Sequence, residues 1–108
     1  MLTGYRLMWI TVMFDLPVAE KAERKAATKF REALLDMGFE MSQLSIYMRF
    51  CAGQSQADTY CKRVEEALPD GGRVNILTIT DKQYERIVSY HLGERQAQKK
   101  TRDQFDLF

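Results

Sequence analysis

Leu7-Met8-Trp9-Ile10-Thr11-Val12-Met13-Phe14, running into Asp15-Leu16-Pro17, is the stretch from which the rest of the chain can be placed. It is nearly all apolar, partly β-branched or aromatic, and lies between Gly4 and Pro17, which makes it a central strand. Weak alternation means that both faces meet something apolar. One residue parity, Trp9, Thr11, Met13 and Asp15, is nevertheless more polar than the other, Met8, Ile10, Val12 and Phe14. The strand therefore ends by aiming one carboxylate, Asp15, off its more polar face. The run is far too short to span a bilayer and lacks the small-residue cleavage site of a signal peptide, so a cytoplasmic protein with no membrane partner is expected.

Outward from that strand, apolar residues at Ala22, Ala26, Phe30, Leu34 and Met37 recur at helical spacing, predicting a helix from about Glu20 to Met37 that Gly38 stops. A short extended piece near Phe39–Gln43 precedes Leu44–Cys51, where Leu44, Ile46, Met48 and Phe50 alternate with Ser45, Tyr47, Arg49 and Cys51. That pattern reads as a half-buried strand with a polar face. Ala57, Tyr60, Cys61, Val64 and Leu68 mark a second amphipathic helix from about Gln56 to Leu68, ended by Pro69-Asp70-Gly71-Gly72. Arg73–Thr80 is strand again, and Asp81–Tyr90 a short turn or helix.

Strand, helix, short strand, strand, helix, strand is the order of an α+β, ferredoxin-like βαββαβ sandwich: one antiparallel sheet with two helices on one face. The other face is left open, and the alternation assigns Ser45, Tyr47, Arg49, Trp9 and Met13 to it. A homodimer packing sheet to sheet would bury so apolar a surface. Residues 1–90 form the domain in this reading, and 91–108 a tail that is polar and basic before closing on Phe105-Asp106-Leu107-Phe108. Such an ending suits a strand that docks on a partner's sheet edge, with disorder as the plain alternative.

At 108 residues the chain has room for one core, and its 45% hydrophobic and 29% charged content is that of a globular protein. Sixteen Lys and Arg against 15 Asp and Glu leave a net charge of +1, so a nucleic-acid partner must be met by a local basic patch. The two cysteines, Cys51 and Cys61, form no CxxC pattern and point to neither a zinc site nor a disulfide framework. Lys21, Arg24, Lys25, Lys29 and Arg31 share the first helix with Glu20, Glu23, Glu32 and Asp36; a solvated, pair-rich face is the plainer reading and a binding patch the other.

Four blocks, Trp9-Ile-Thr-Val-Met-Phe-Asp-Leu-Pro17, Phe30-Arg-Glu-Ala-Leu-Leu-Asp-Met-Gly-Phe39, Gln43-Leu-Ser-Ile-Tyr-Met-Arg49 and Arg73-Val-Asn-Ile-Leu-Thr-Ile-Thr-Asp-Lys-Gln-Tyr84, taken in this order and spacing, resemble the CRISPR-associated protein 2 family. The resemblance implies a ferredoxin-like homodimer that serves in acquiring new CRISPR spacers, held between two dimers of an integrase partner and gripping double-stranded DNA. It also implies a magnesium-dependent endonuclease acting on RNA or DNA. The family's metal-binding aspartate at the end of the first strand falls on Asp15. A stand-alone, toxin-like ribonuclease of the same fold is the competing function. A metabolite-binding module is disfavoured because no Gly-rich phosphate loop is present.

Taken by itself, Asp15 in Asp-Leu-Pro reads as turn chemistry, its side chain satisfying the following backbone. With the resemblance it becomes the candidate catalytic residue and Mg2+ ligand, shared with the same residue of a second protomer because one carboxylate is a thin donor set. Arg24, Lys25 and Arg49 are the candidates for phosphate contact. Tyr47 reads as interface packing rather than a base-stacking platform, since the RNA-recognition consensus is missing from its strand. His91, the chain's single histidine, reads as a surface or tail residue.

Overall fold

The computed structural model describes residues 6–93. The readings for the segment beyond Gly93, the docking strand included, lie outside the described residues. Seven elements follow in order: β1 (Met8–Asp15), α1 (Lys21–Asp36), β2 (Glu40–Gln43), β3 (Ile46–Cys51), α2 (Gln54–Glu66), β4 (Arg73–Thr80) and the short α3 (Asp81–Glu85). The strands form one sheet in the order β2-β3-β1-β4, every neighbouring pair antiparallel. This is the ferredoxin-like βαββαβ arrangement expected from the sequence.

β1 is central because its even residues are apolar enough to be buried on the helix side. Met8, Ile10, Val12 and Phe14 are buried with Phe30 and Leu34 of α1, Phe39, and Ala57 and Val64 of α2. Phe14 meets Phe30 edge to face, with 5.3 Å between ring centroids. α1 starts where the Glu23 carboxylate accepts a hydrogen bond from the Glu20 amide, 2.9 Å away, and ends at Gly38, whose φ of +90° few other residues adopt.

The predicted faces of β3 are reversed. Tyr47 and Cys51 are buried against the helices, and Arg49 lies on that side with them, opposite Ile10 in the β1–β3 ladder. Ile46, Met48 and Phe50 lie on the open face beside Met13, Thr11 and Trp9. Alternation alone counted Tyr and Arg as polar, but both have long apolar bodies that a core can take while the polar tip finds a partner. Tyr47 stacks on Phe14 at 5.6 Å, and the Arg49 guanidinium lies 3.8 Å from the centroid of Tyr60 on α2. β3 also begins two residues later than expected: Leu44 and Ser45 form the hairpin turn, Ser45 at φ +65° and Leu44 87% exposed. α2 is shifted toward the N-terminus and ends at Glu66, leaving Leu68 outside the helix and exposed.

The open face is covered at one end. Tyr84 of α3 stacks on Trp9, with centroids 3.8 Å apart and planes 9° from parallel, while the Trp9 indole N–H donates to Asp81 Oδ1 at 2.7 Å. Burial first, and then the carboxylates of Asp81 and Glu40, push the Tyr84 phenol above its ordinary range. No helix among the described residues is long and apolar enough to cross a membrane.

At the other end, the turn into β4 is wedged against the end of β1. Gly72 has φ +93°, and a Cβ there would lie 2.8 Å from the Asp15 carbonyl oxygen and 2.8 Å from Leu16 Cδ2. At Gly71 the nearest atom to such a Cβ is Pro17 Cγ, at 3.8 Å. Gly72→Ala is therefore expected to cost more than about 1 kcal/mol and to lower the thermal midpoint by roughly 4–8 °C per kcal/mol, with Gly71→Ala within a degree or two of wild type. Thermal unfolding of the two variants side by side checks this; equal midpoints would contradict the wedge.

Candidate nucleic-acid interface and the Asp15 strand end

Asp15 is the last residue of β1, exposed, on the open face, and in register with Arg73 of β4. The loop leaving it is short and tied down. Arg24 Nη1 donates to the carbonyls of Val18 at 3.1 Å and Ala19 at 3.0 Å, so the first turn of α1 grips the segment that carries Asp15 into the helix. The loop thus carries the chain from Asp15, on the open face of the sheet, to the start of α1, which packs on the opposite face.

The outward surface of the N-terminal half of α1 is cationic. Lys21, Arg24, Lys25, Thr28, Lys29 and Glu32 line a shallow groove along α1, and the first acid on it is Glu32. The buried residues Ala27, Phe30 and Leu34 point the other way. In the first turn Lys21 and Arg24 stand with Glu23 and the Glu20 cap, while Lys25 and Lys29 lie beyond the reach of the helix dipole, which falls off within the first turn. Arg24 and Lys25, predicted from sequence as phosphate contacts, both lie on this strip, and Lys21 and Lys29 join them. The i, i+4, i+8 spacing of Lys21, Lys25 and Lys29 was the available signal, diluted by the acids counted on the same helix.

Arg49 is not with them. Its Nε donates to the Met37 carbonyl at 2.7 Å and its Nη1 to the Phe50 carbonyl at 2.7 Å, which binds β3 to the C-terminal end of α1, the far end from Lys21. A cation on the last carbonyls of a helix is favourable. Gly38 makes room for it, since a Cβ there would sit 3.2 Å from Arg49 Nε. These hydrogen bonds commit Arg49 to joining the two layers. Arg73, opposite Asp15, was passed over because cross-strand register is not written in either strand alone.

Among the described residues, no group of three or more His, Cys, Asp or Glu is gathered to hold a metal ion. Asp15 is the single carboxylate of β1.

The family description "CRISPR associated protein Cas2" matches residues 8–87. The chain belongs to the Cas2 family. A Paracidovorax avenae protein named CRISPR-associated endoribonuclease Cas2 is 67% identical over 108 residues, covering all of both chains. A Flavobacterium psychrophilum protein of the same name is 42% identical over 107 residues, covering 99% of this chain and 93% of its own. A Parvibaculum lavamentivorans relative, also so named, is 43% identical over 101 residues, covering 94% of this chain and all of its own. The Cas2 match begins with β1 and ends just after α3, so it spans both Asp15 and the α1 strip.

The two thiols differ sharply. Cys51 is fully buried, and burial pushes its pKa up while Arg49, 3.9 Å from the sulfur, pulls the other way. Cys61 is partly exposed, near Thr78 Oγ1 at 4.0 Å. A thiol reagent at neutral pH is expected to modify Cys61 alone in the folded protein and Cys51 only on unfolding. Peptide mapping after a timed reaction would show it; rapid labelling of Cys51 would contradict the packing of β3.

Proposed function

We propose that the protein is a homodimeric subunit of the CRISPR spacer-acquisition complex, bridging dimers of an integrase partner and binding double-stranded DNA. A magnesium-dependent endonuclease activity on RNA or DNA, centred on Asp15, accompanies that role. The observation that carries the reading is the cationic strip of α1, Lys21, Lys25 and Lys29, on the outer side of the helix layer. A polyanion laid along Lys21, Lys25 and Lys29 would meet charge that the fold itself does not use.

Dimerisation is supported by the open face. With β3 turned over, that face bears Trp9, Met13, Ile46, Met48, Phe50 and Leu77, of which Phe50 is 43% and Leu77 50% exposed. Apolar area of this kind calls for a covering layer. A second copy would also bring a second Asp15.

Magnesium suits such a donor set, because it keeps several waters and is commonly bound by one or two carboxylates together with phosphate. When bound, the ion would neutralise phosphate charge and acidify a coordinated water. Asp15 of each chain would supply the carboxylate, on the sheet face opposite the helix layer that carries the lysines of α1. The names of the relatives, endoribonucleases in each case, favour cleavage of RNA as one activity of the site.

Duplex DNA binding is expected to weaken steeply with salt, and Lys21→Gln with Lys25→Gln to flatten the log–log slope by about 0.9 for each phosphate no longer neutralised. Asp15→Asn should abolish metal-dependent cleavage while leaving the fold and the duplex affinity intact. Titrations at several salt concentrations, cleavage assays with and without magnesium, and sedimentation of the free protein test these points together. A monomer with salt-independent DNA affinity would remove the reading.

A further inference from the structure

The polar residues of the open face are not scattered. Down the β1–β4 ladder the open-face rows run Trp9–Ile79, Thr11–Leu77, Met13–Asn75 and Asp15–Arg73. The first two rows are apolar or covered, Thr11 being only 8% exposed, and polarity arrives in the last two, at the end where Asp15 stands. Arg73 and Asn75 are both exposed and lie on β4, an edge strand of the sheet, so no further strand confines them.

The register that sets Arg73 beside Asp15 is rigid. Gly72, immediately before Arg73, is packed so closely on the Asp15 carbonyl, Leu16 and Pro17 that its conformation admits no side chain. Directly opposite residues of an antiparallel pair place their side chains on the same face, with Cβ atoms about 4.5–5.5 Å apart. An exposed cross-strand ion pair contributes little to stability. The constrained turn therefore fixes Arg73 opposite Asp15 on one face of the sheet, where an ion pair between them would give little structural return.

A lone carboxylate repels nucleic acid, and a phosphate brought to it needs a cation of fixed position. A guanidinium meets a phosphate with two parallel N–H donors. The geometry points to Arg73 as a phosphate-binding residue that holds a non-bridging phosphodiester oxygen at the Asp15 end of the sheet, with Asn75 as its polar neighbour. This rests on the proposed nucleic-acid function and adds to it a residue outside the α1 strip.

The test compares wild type, Arg73→Gln and Asp15→Asn for binding of a labelled DNA duplex and of a labelled single-stranded RNA, in EDTA, across a series of salt concentrations. Thermal midpoints are measured alongside. Removing the guanidinium charge is expected to weaken binding of at least one probe by about tenfold. The log–log salt slope for that probe is expected to become shallower by about one per chain. Asp15→Asn, which removes a repulsive charge, should bind at least as tightly as wild type. A salt slope unchanged in Arg73→Gln for both probes overturns the assignment, whatever the midpoint does. If wild type binds neither probe, the proposed function falls and this inference with it; if wild type binds and only Arg73→Gln is without effect, this inference falls alone. The two probes separate a DNA phosphate from an RNA phosphate.

Discussion

The backbone pairing of β1 is the constraint on which the molecule depends. This strand is hydrogen-bonded to β4 along its full length, Met8–Asp15, and to β3 along Met8–Met13. Its even residues then form the floor on which α1 and α2 pack, and its odd residues run down the middle of the open face. A slip of one residue in either ladder would exchange those sets and bring Asp15 to the helix side. Fixing β1 therefore fixes at once the core, the open face and the place where a carboxylate emerges.

Much of this was legible in the sequence, for physical reasons that also explain the errors. The parity of β1 could be read because Met8, Ile10, Val12 and Phe14 differ from their neighbours in hydrophobicity, not only in size. β3 misled because Tyr47 and Arg49 are amphipathic, and the helices took their apolar bodies: Tyr47 against Phe14, Arg49 against Tyr60 with its polar end on the Met37 carbonyl. The Leu44-Ser45 turn was hidden because Leu44 continued an alternation that the backbone had already left. Asp15 could be found because a strand end followed by Leu-Pro is a local feature. Arg73 could not, since its partner lies on a strand far away in sequence.

The charges of α1 are set apart from what makes the helix stable. Its start is secured by Glu20, Glu23 and Arg24, and its hold on the sheet by Phe30 and Leu34, with Lys21, Lys25 and Lys29 left exposed. Of the three lysines on that surface, Lys21 alone stands in the first turn, where the dipole disfavours a cation. Arg49, at the opposite end, has the placement the dipole favours, and it is a bond between layers. Cationic side chains thus take two placements in one domain, exposed along α1 and part-buried between the layers at Arg49.

Trp9 is the chain's single tryptophan, and it stands in the row of β1 that the open face exposes, clasped between the Tyr84 ring and the edge of Phe50. Its indole nitrogen is already engaged with Asp81. The protein therefore carries a built-in optical gauge: light emitted by this one ring reports whether that surface is wet, layered against another sheet, or stripped of α3, without any label being added.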